Sequence, residues 1–235
     1  MRKNLLLPFV IIFLTALFSC KNERDEKTLQ NEFVVSVSIR NHNNRIVYLH
    51  KFISDRPQII DSAKITHNYV TFKGYTPYPE RYLITIENIF GSKLFVITND
   101  SIQLEVSKEG LVNATISGSK LNTELKNYQR NLKEIYDKID ILFPELQRAR
   151  LENNPMKLSN IAKKISTIEK EGIEYNFLYA QKNKNSFISS MILNDLSKKD
   201  SADVTRVRSI FSQFDDTVKE SNDSKELLEF LKTYK

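Results

Sequence analysis

The side chains best suited to acid–base chemistry or metal binding are few and scattered in this sequence. Its three histidines are His42, His50 and His67, and each falls at a turn or a strand end of the N-terminal half. Metal sites commonly use closely spaced ligands such as His-x-His or His-Glu-x-x-His, and neither spacing occurs. Cys20 is the single cysteine, which excludes an internal disulfide, a Cys-x-x-Cys redox pair and a thiolate zinc cluster within this chain. We therefore expect no metal site.

Nucleophilic catalysis has equally little support. The sequence contains no Gly-x-Ser-x-Gly elbow and no glycine-rich phosphate-binding loop, and Ser62 in Asp61-Ser62-Ala63 fits a strand residue better than a nucleophile. The adjacent carboxylates Asp215 and Asp216 lie on a predicted helix, where neighbouring side chains diverge. A Ser/His/Asp triad assembles from distant positions, so spacing alone leaves hydrolysis open as a weak option. We expect no enzyme, no catalytic residue and no cofactor.

Cys20 is better explained as a lipid attachment site. Residues 1–19 contain two early cations, an apolar run of about fourteen residues and a final small residue, the pattern of a secretory signal peptide. The run is shorter than the roughly 20 apolar residues of a membrane span. The ending Leu-Phe-Ser-Cys at 17–20 resembles the lipobox of bacterial lipoproteins. We predict cleavage before Cys20, acylation of its thiol and a polar tether over 20–31; the alternative is a buried or chance cysteine beside a signal peptide.

The charge distribution argues against nucleic-acid binding. The chain carries 35 basic and 29 acidic side chains, a net charge of +6. Nucleic-acid binding favours cations clustered on one face, whereas the densest basic clusters, at 163–164 and 182–184, are interrupted and typical of solvated helix faces. With 40% apolar residues, the mature chain is long enough to bury a core in one or two domains.

Residues 32–117 have the two-residue period of β-strands. In the first segment, Phe33, Val35, Val37 and Ile39 alternate with other residues. Seven further segments follow, separated by turn-forming residues without helical crossovers. They are residues 45–50, 59–65, 69–73, 81–87, 93–97, 102–106 and 113–116. About eight short strands at this spacing predict an antiparallel β-sandwich or open barrel rather than a parallel sheet.

Residues 118–235 change to the three-and-four-residue period of amphipathic helices. The first apolar stripe runs from Leu121 to Leu142, with Ser119 as its N-cap and Pro144 as the residue that closes or kinks the helix. Later helices are predicted over residues 158–175, 187–196, 204–214 and 225–234. We interpret the stripes as core packing, with the first helix also leaning on the sheet. The predicted fold is α+β: the sandwich or barrel, then a small helical bundle.

Short motifs in the β half resemble a known family. They are Ile-Ile-Asp-Ser-Ala-Lys-Ile at 59–65, Tyr-Val-Thr-Phe-Lys-Gly at 69–74 and Pro-Glu-Arg-Tyr-Leu at 79–83. Their order resembles the N-terminal β domain of unknown function of bacteroidete-type lipoproteins that continue into a thioredoxin-like (AhpC/TSA or ResA-like) domain. Residues 116–119, followed by Asn122, resemble the junction into that family's helical segment. The resemblance implies an envelope lipoprotein, but this sequence has no Cys-x-x-Cys pair to which thiol–disulfide activity could be transferred.

Two functions of different classes remain open. The first is a non-catalytic envelope module that binds a partner protein or an extended ligand through a sheet edge. The second is an accessory module that docks a separate thioredoxin-like oxidoreductase, which rests on resemblance alone. We expect a lipid-anchored protein of the cell envelope, on the outer membrane and facing either side, with no nucleic-acid partner. We also expect sheet and helices to depend on each other, against the alternative of independent domains joined at Gly118.

Overall fold

The computed structural model describes residues 32–39, 44–53, 56–107 and 110–234. The predicted signal peptide, Cys20 and the tether lie outside the described residues. From Glu32 onward the chain forms one compact unit. In the described part of the chain, no helix is both long enough and apolar enough to cross a membrane.

Eight strands form two four-stranded sheets that share one hydrophobic core. The strands are β1 (Phe33–Ile39), β2 (Ile46–Ile53), β3 (Arg56–Lys64), β4 (Tyr69–Gly74), β5 (Glu80–Ile86), β6 (Ile89–Ile97), β7 (Ser101–Ser107) and β8 (Gly110–Ser117). The first sheet has the order β4-β1-β7-β8 and the second the order β3-β2-β5-β6. The apolar positions of β1 are buried in the shared core, which confirms the alternation. The predicted α+β class is therefore confirmed.

One strand pair is parallel, whereas the sequence pattern predicted antiparallel strands. β1 lies between β4, to which it is antiparallel, and β7, to which it is parallel. Parallel neighbours need a long connection, and here that connection contains all four strands of the second sheet. The absence of helical crossovers therefore did not exclude parallel pairing.

Six helices follow among the described residues. They are α1 (Lys120–Leu151), α2 (Pro155–Lys182), α3 (Phe187–Ser197), α4 (Val204–Phe211), α5 (Asp216–Lys219) and α6 (Asn222–Thr233). The long helices α1 and α2 form a hairpin. Within it Gly172 is buried, and a Cβ added there would lie 2.5 Å from the hydroxyl oxygen of Tyr136. Glycine at this position therefore permits close packing of the two helices.

The first and the last helix have other ends than the sequence indicated. Pro144 does not close α1, which continues to Leu151. A proline costs the helix one backbone hydrogen bond, but the face that packs on α2 continues beyond it and includes the buried Ala149. The last helix begins before Lys225, because the Ser221 side chain caps it and accepts a hydrogen bond from the Ser224 amide.

The helices enclose a second hydrophobic core that includes one strand residue, Val96. In a strand, successive side chains point to opposite faces of the sheet. Phe95 and Ile97 therefore point into the sandwich core, while Val96 is fully buried among the helices. The end of β6 thus contributes to both cores.

Asn122, in the first turn of α1, binds the backbone of β6 at the same residue. Its Oδ1 accepts a hydrogen bond from the Val96 amide at 2.8 Å, and its Nδ2 donates to the Val96 carbonyl at 2.6 Å. β6 is the last strand of its sheet, so the Asn122 side chain occupies the place of a neighbouring strand. As expected, Ser119 caps α1 by accepting a hydrogen bond from the Asn122 amide.

Arg81 on β5 makes the second polar connection between sheet and helices. It lies opposite Val96 in the pairing of β5 with β6, so both side chains face the helices. Its guanidinium donates to Asp195 of α3 at 2.8 Å and to Asp223 of α6. The predicted contact of the first helix with the sheet is therefore present, and α3 and α6 contact the sheet as well.

Replacing Asn122 with alanine should reduce the free energy of unfolding by about 2–4 kcal/mol. The reason is that the substitution leaves two buried backbone groups of Val96 without partners, each costing about 1–3 kcal/mol. Urea denaturation followed by circular dichroism measures the change. Asn127→Ala is the matched control, because Asn127 is exposed on the same helix. Equal stability of the two variants would contradict this role of Asn122.

The fragment of residues 32–117 should not fold stably by itself. It lacks Asn122, exposes Val96 to water and loses the aspartates that pair with Arg81. Its proton–nitrogen NMR spectrum should show broad, poorly dispersed amide signals, whereas the whole mature chain should give a dispersed spectrum. Sharp, dispersed signals from a monomeric fragment would instead support two independent domains.

Candidate functional site

The residues that the sequence suggested for acid–base chemistry or metal binding do not form a site where the structure describes them. His50 bonds to Thr85, with 2.8 Å between Nε2 and Oγ1, and burial lowers its pKa. His67 occupies a left-handed turn position, with φ 53°, and His42 lies outside the described residues. Among the described residues, no group of three or more His, Cys, Asp or Glu side chains is placed to hold a metal ion.

The other motif residues have local structural roles. On the exposed edge strand β3, the Asp61 carboxylate accepts a hydrogen bond from the Ser62 amide at 2.7 Å. Gly74 leaves space for Phe33, whose ring would lie 2.7 Å from an added Cβ. Asp215 precedes α5, and Asp216 lies in the first turn of that helix. Each of these contacts accounts for its residue without a ligand.

An open cleft of about 330 Å³ lies between β6, β8 and α1. β6 and β8 are edge strands of opposite sheets, so the cleft lies along one open side of the sandwich. Its lining residues are Lys93, Leu94, Val112, Asn113, Ala114, Thr115, Ile116, Asn122, Leu125, Lys126 and Gln129. We call it the edge cleft.

The ends of the edge cleft are defined by two contacts. At one end β6 and β8 approach closely, because a Cβ added to Gly91 would lie 2.8 Å from Cγ2 of Val112. At the other end the Asn122 side chain is bonded to Val96. Five residue steps along β6 separate Gly91 from Val96, so the two contacts are about 16 Å apart along the strand at a rise of about 3.3 Å per residue.

Backbone polar groups of both strands face this cleft. Along a strand, the amide and carbonyl of every second residue point to the same edge. The amide and carbonyl of Val96 point to Asn122, so the amide and carbonyl of Leu94 point to the same side. On that side no strand among the described residues pairs with β6. On the opposite wall, the Val112 carbonyl accepts a hydrogen bond from Nζ of Lys93 at 3.3 Å. The cleft therefore offers the backbone groups of Leu94, while the Val112 carbonyl already accepts a hydrogen bond from Lys93.

The charge of the edge cleft is positive. Lys93 and Lys126 are its charged lining residues, and no lining residue is acidic. Burial, and then the nearby Lys126, lower the pKa of Lys93. Neither lysine forms an ion pair within the described part of the chain. The cleft can therefore attract an anionic group.

A second cleft, of about 250 Å³, lies among α2, α3 and α4, and its arginine is already paired with a carboxylate. Arg206 donates to both carboxylate oxygens of Glu174, at 2.5 and 2.7 Å. The same guanidinium lies over the Phe177 ring, 4.3 Å from its centroid. These contacts stabilise the packing of α4 on α2, so this cleft is a weaker candidate for ligand binding.

A cluster of tyrosines next to the edge cleft also has structural contacts. The Tyr179 hydroxyl donates to Glu124 at 2.6 Å, and Ser186 donates to the same carboxylate oxygen at 2.5 Å. The Tyr128 hydroxyl donates to Asn176 at 2.8 Å. Burial raises the pKa of both tyrosines, so both hydroxyls stay protonated as hydrogen-bond donors. The cluster joins α1 to α2 and to the start of α3.

Residues 33–125 match the family model described as a domain of unknown function (DUF4369). The matched segment contains all eight strands and extends into α1 past Asn122, so it includes both strands of the edge cleft. No curated protein matches the chain. The N-terminal domain of unknown function suggested by the motifs is thereby supported, while the lipoprotein type and the association with thioredoxin-like domains stay predictions.

Sequence reasoning marked Asn122 as part of a family junction but did not single out Lys93 or Lys126. The helical spacing of Asn122, Leu125, Lys126 and Gln129, three, four and seven residues after the first, could have indicated a common face. For Lys93, no local pattern distinguishes it from the other lysines.

Proposed function

We propose that this protein is a lipid-anchored module of the bacterial cell envelope that binds an extended polypeptide segment in the edge cleft and is not itself an enzyme. One observation carries the proposal: β6 and β8, edge strands of opposite sheets, line the same open cleft, and the Leu94 amide and carbonyl point away from the paired strand β5. Such edges bind peptides by strand addition, in which main-chain hydrogen bonds supply affinity and pockets for alternate side chains supply specificity.

The dimensions and lining of the edge cleft suit such a segment. A length of about 16 Å accommodates about five extended residues. The Leu94 amide and carbonyl offer main-chain hydrogen bonds, while Val112, which is 59% exposed, and Ile116 offer apolar contacts. The closed ends limit the segment to the space between Gly91 and Asn122, which favours a short extended stretch over a helix of about 10 Å diameter.

The envelope location rests on Cys20 and the residues around it. A lipobox-like ending, a single cysteine and a polar tether support acylation, and two or more acyl chains hold a protein stably on a membrane. The outer membrane is the proposed destination. Because the anchor supplies membrane attachment, the folded part remains available for partner binding.

Cys20→Ser should abolish labelling with radioactive palmitate and release the protein from the membrane fraction. The reason is that serine provides no thiol for acylation, while the folded part from Glu32 onward does not contain residue 20. Labelling, fractionation and circular dichroism of the purified variant check the three expectations. Ser19→Ala, which retains a small residue before the cysteine, is the control. Unchanged labelling of Cys20→Ser would show that the anchor is not at this position.

An extended peptide should protect the Leu94 amide from hydrogen exchange. The probe is an acetylated and amidated heptapeptide of alternating threonine and valine, added to the whole mature chain with Cys20→Ser. Proton–nitrogen NMR should show shifts for Leu94 and for residues of β8, because strand addition engages both edges.

A blocked cleft provides the matched comparison for this experiment. Thr115→Trp fills the cleft and should abolish the shifts, whereas Thr205→Trp, at an exposed position of α4, should not. An unchanged Leu94 signal at saturating peptide, or equal binding by both variants, would refute the proposed peptide site.

A further inference from the structure

The edge cleft brings together two lysines that form no ion pair within the described part of the chain. Several other lysines are paired with carboxylates, as in Lys133 with Asp137 at 2.5 Å and Lys138 with Glu171 at 2.6 Å. Lys93 and Lys126 line one cleft without an acidic residue among the lining residues. The two cations are close enough for Lys126 to lower the pKa of Lys93.

From this placement we infer that the edge cleft selects an acidic extended segment, with one carboxylate bound by Lys93 and Lys126 and the neighbouring backbone paired with Leu94. This inference rests on the proposed function and specifies its ligand class. It assigns Lys93 and Lys126 as the residues that determine specificity, and Leu94 as the residue that supplies affinity for the backbone.

The position of Lys93 supports binding of a carboxylate inside the cleft. The side chain is half-buried, and its Nζ reaches from β6 to the Val112 carbonyl of β8 at 3.3 Å. An ammonium group has three donors, so donors remain for a ligand within the cleft. A partly desolvated cation next to a second cation is disfavoured by itself, and a bound carboxylate would offset both effects.

The occupant is a polypeptide segment rather than a free anion, because the lysines account for only part of the lining. Leu94, Val112 and Ile116 present apolar surface, and two strand edges present backbone groups. A small anion would leave these groups unused. An extended segment satisfies them together, because its alternate side chains point to opposite sides.

A charge-matched pair of peptides tests the inference. The probes are fluorescent heptapeptides of alternating threonine and valine that carry one aspartate at each central position in turn, and identical peptides with asparagine. Fluorescence anisotropy with the whole mature chain should show about tenfold tighter binding of at least one aspartate peptide, because a charge-assisted hydrogen bond is stronger than a neutral one. The preference should shrink at high salt and as the pH rises through the lowered pKa of Lys93.

Variants separate acid selection from peptide binding. Lys93→Gln combined with Lys126→Gln should remove the preference for aspartate, so that the variant binds the aspartate and asparagine peptides with equal affinity. The control, Lys133→Gln with Lys138→Gln, changes the same number of charges on the exposed part of α1 and should keep the preference. Persistence of the preference in the cleft variant would overturn the assignment.

The remaining outcomes bear on the peptide site, on acid selection or on both. Equal affinity of the native chain for aspartate and asparagine peptides would overturn acid selection and leave the peptide site standing. No binding of any peptide would overturn both. If the native chain without peptide sediments as a dimer that the cleft variant converts to monomers, a second copy of this chain is the occupant and the inference is wrong.

Discussion

The hydrogen bonds of Asn122 with Val96 hold the first helix against the edge of the second sheet. β6 ends its sheet, and an exposed strand edge invites pairing with other chains. The Asn122 amide closes this edge at Val96 with one donor and one acceptor. The same contact places the first turn of α1 against β6 and so determines where that helix begins.

The helix face that carries Asn122 also forms one wall of the edge cleft. Leu125, Lys126 and Gln129 follow Asn122 at helical spacing and line the cleft beside it. A displacement of the first turn of α1 would therefore move Lys126 and alter the cleft. The matched segment, residues 33–125, accordingly contains the sheet edge together with the helical turn that binds it.

How much the sequence could predict depended on how local each determinant is. The strand alternation of Phe33 to Ile39 and the N-cap Ser119 depend on neighbouring residues, so they were predictable. Pairing of β1 with β7 depends on the path of the chain through the second sheet, and the edge cleft brings Lys93 within reach of Lys126. No single-sequence pattern encodes such distant neighbours. Acylation of Cys20 is the opposite case, since a short local pattern alone predicts it.

Lysines on strand edges also have a simpler explanation, because natural proteins place them there to prevent aggregation. A lysine in that role is most effective when water surrounds its charge. Lys93 is instead half-buried, its pKa is lowered, and its amine bonds to the opposite strand at Val112. Protection of the edge does not require this desolvation or the proximity of Lys126. A bound carboxylate would offset both effects, because it would give the partly buried cation and its like-charged neighbour a partner of opposite charge. The environment of Lys93 therefore supports the proposed binding of an acidic segment.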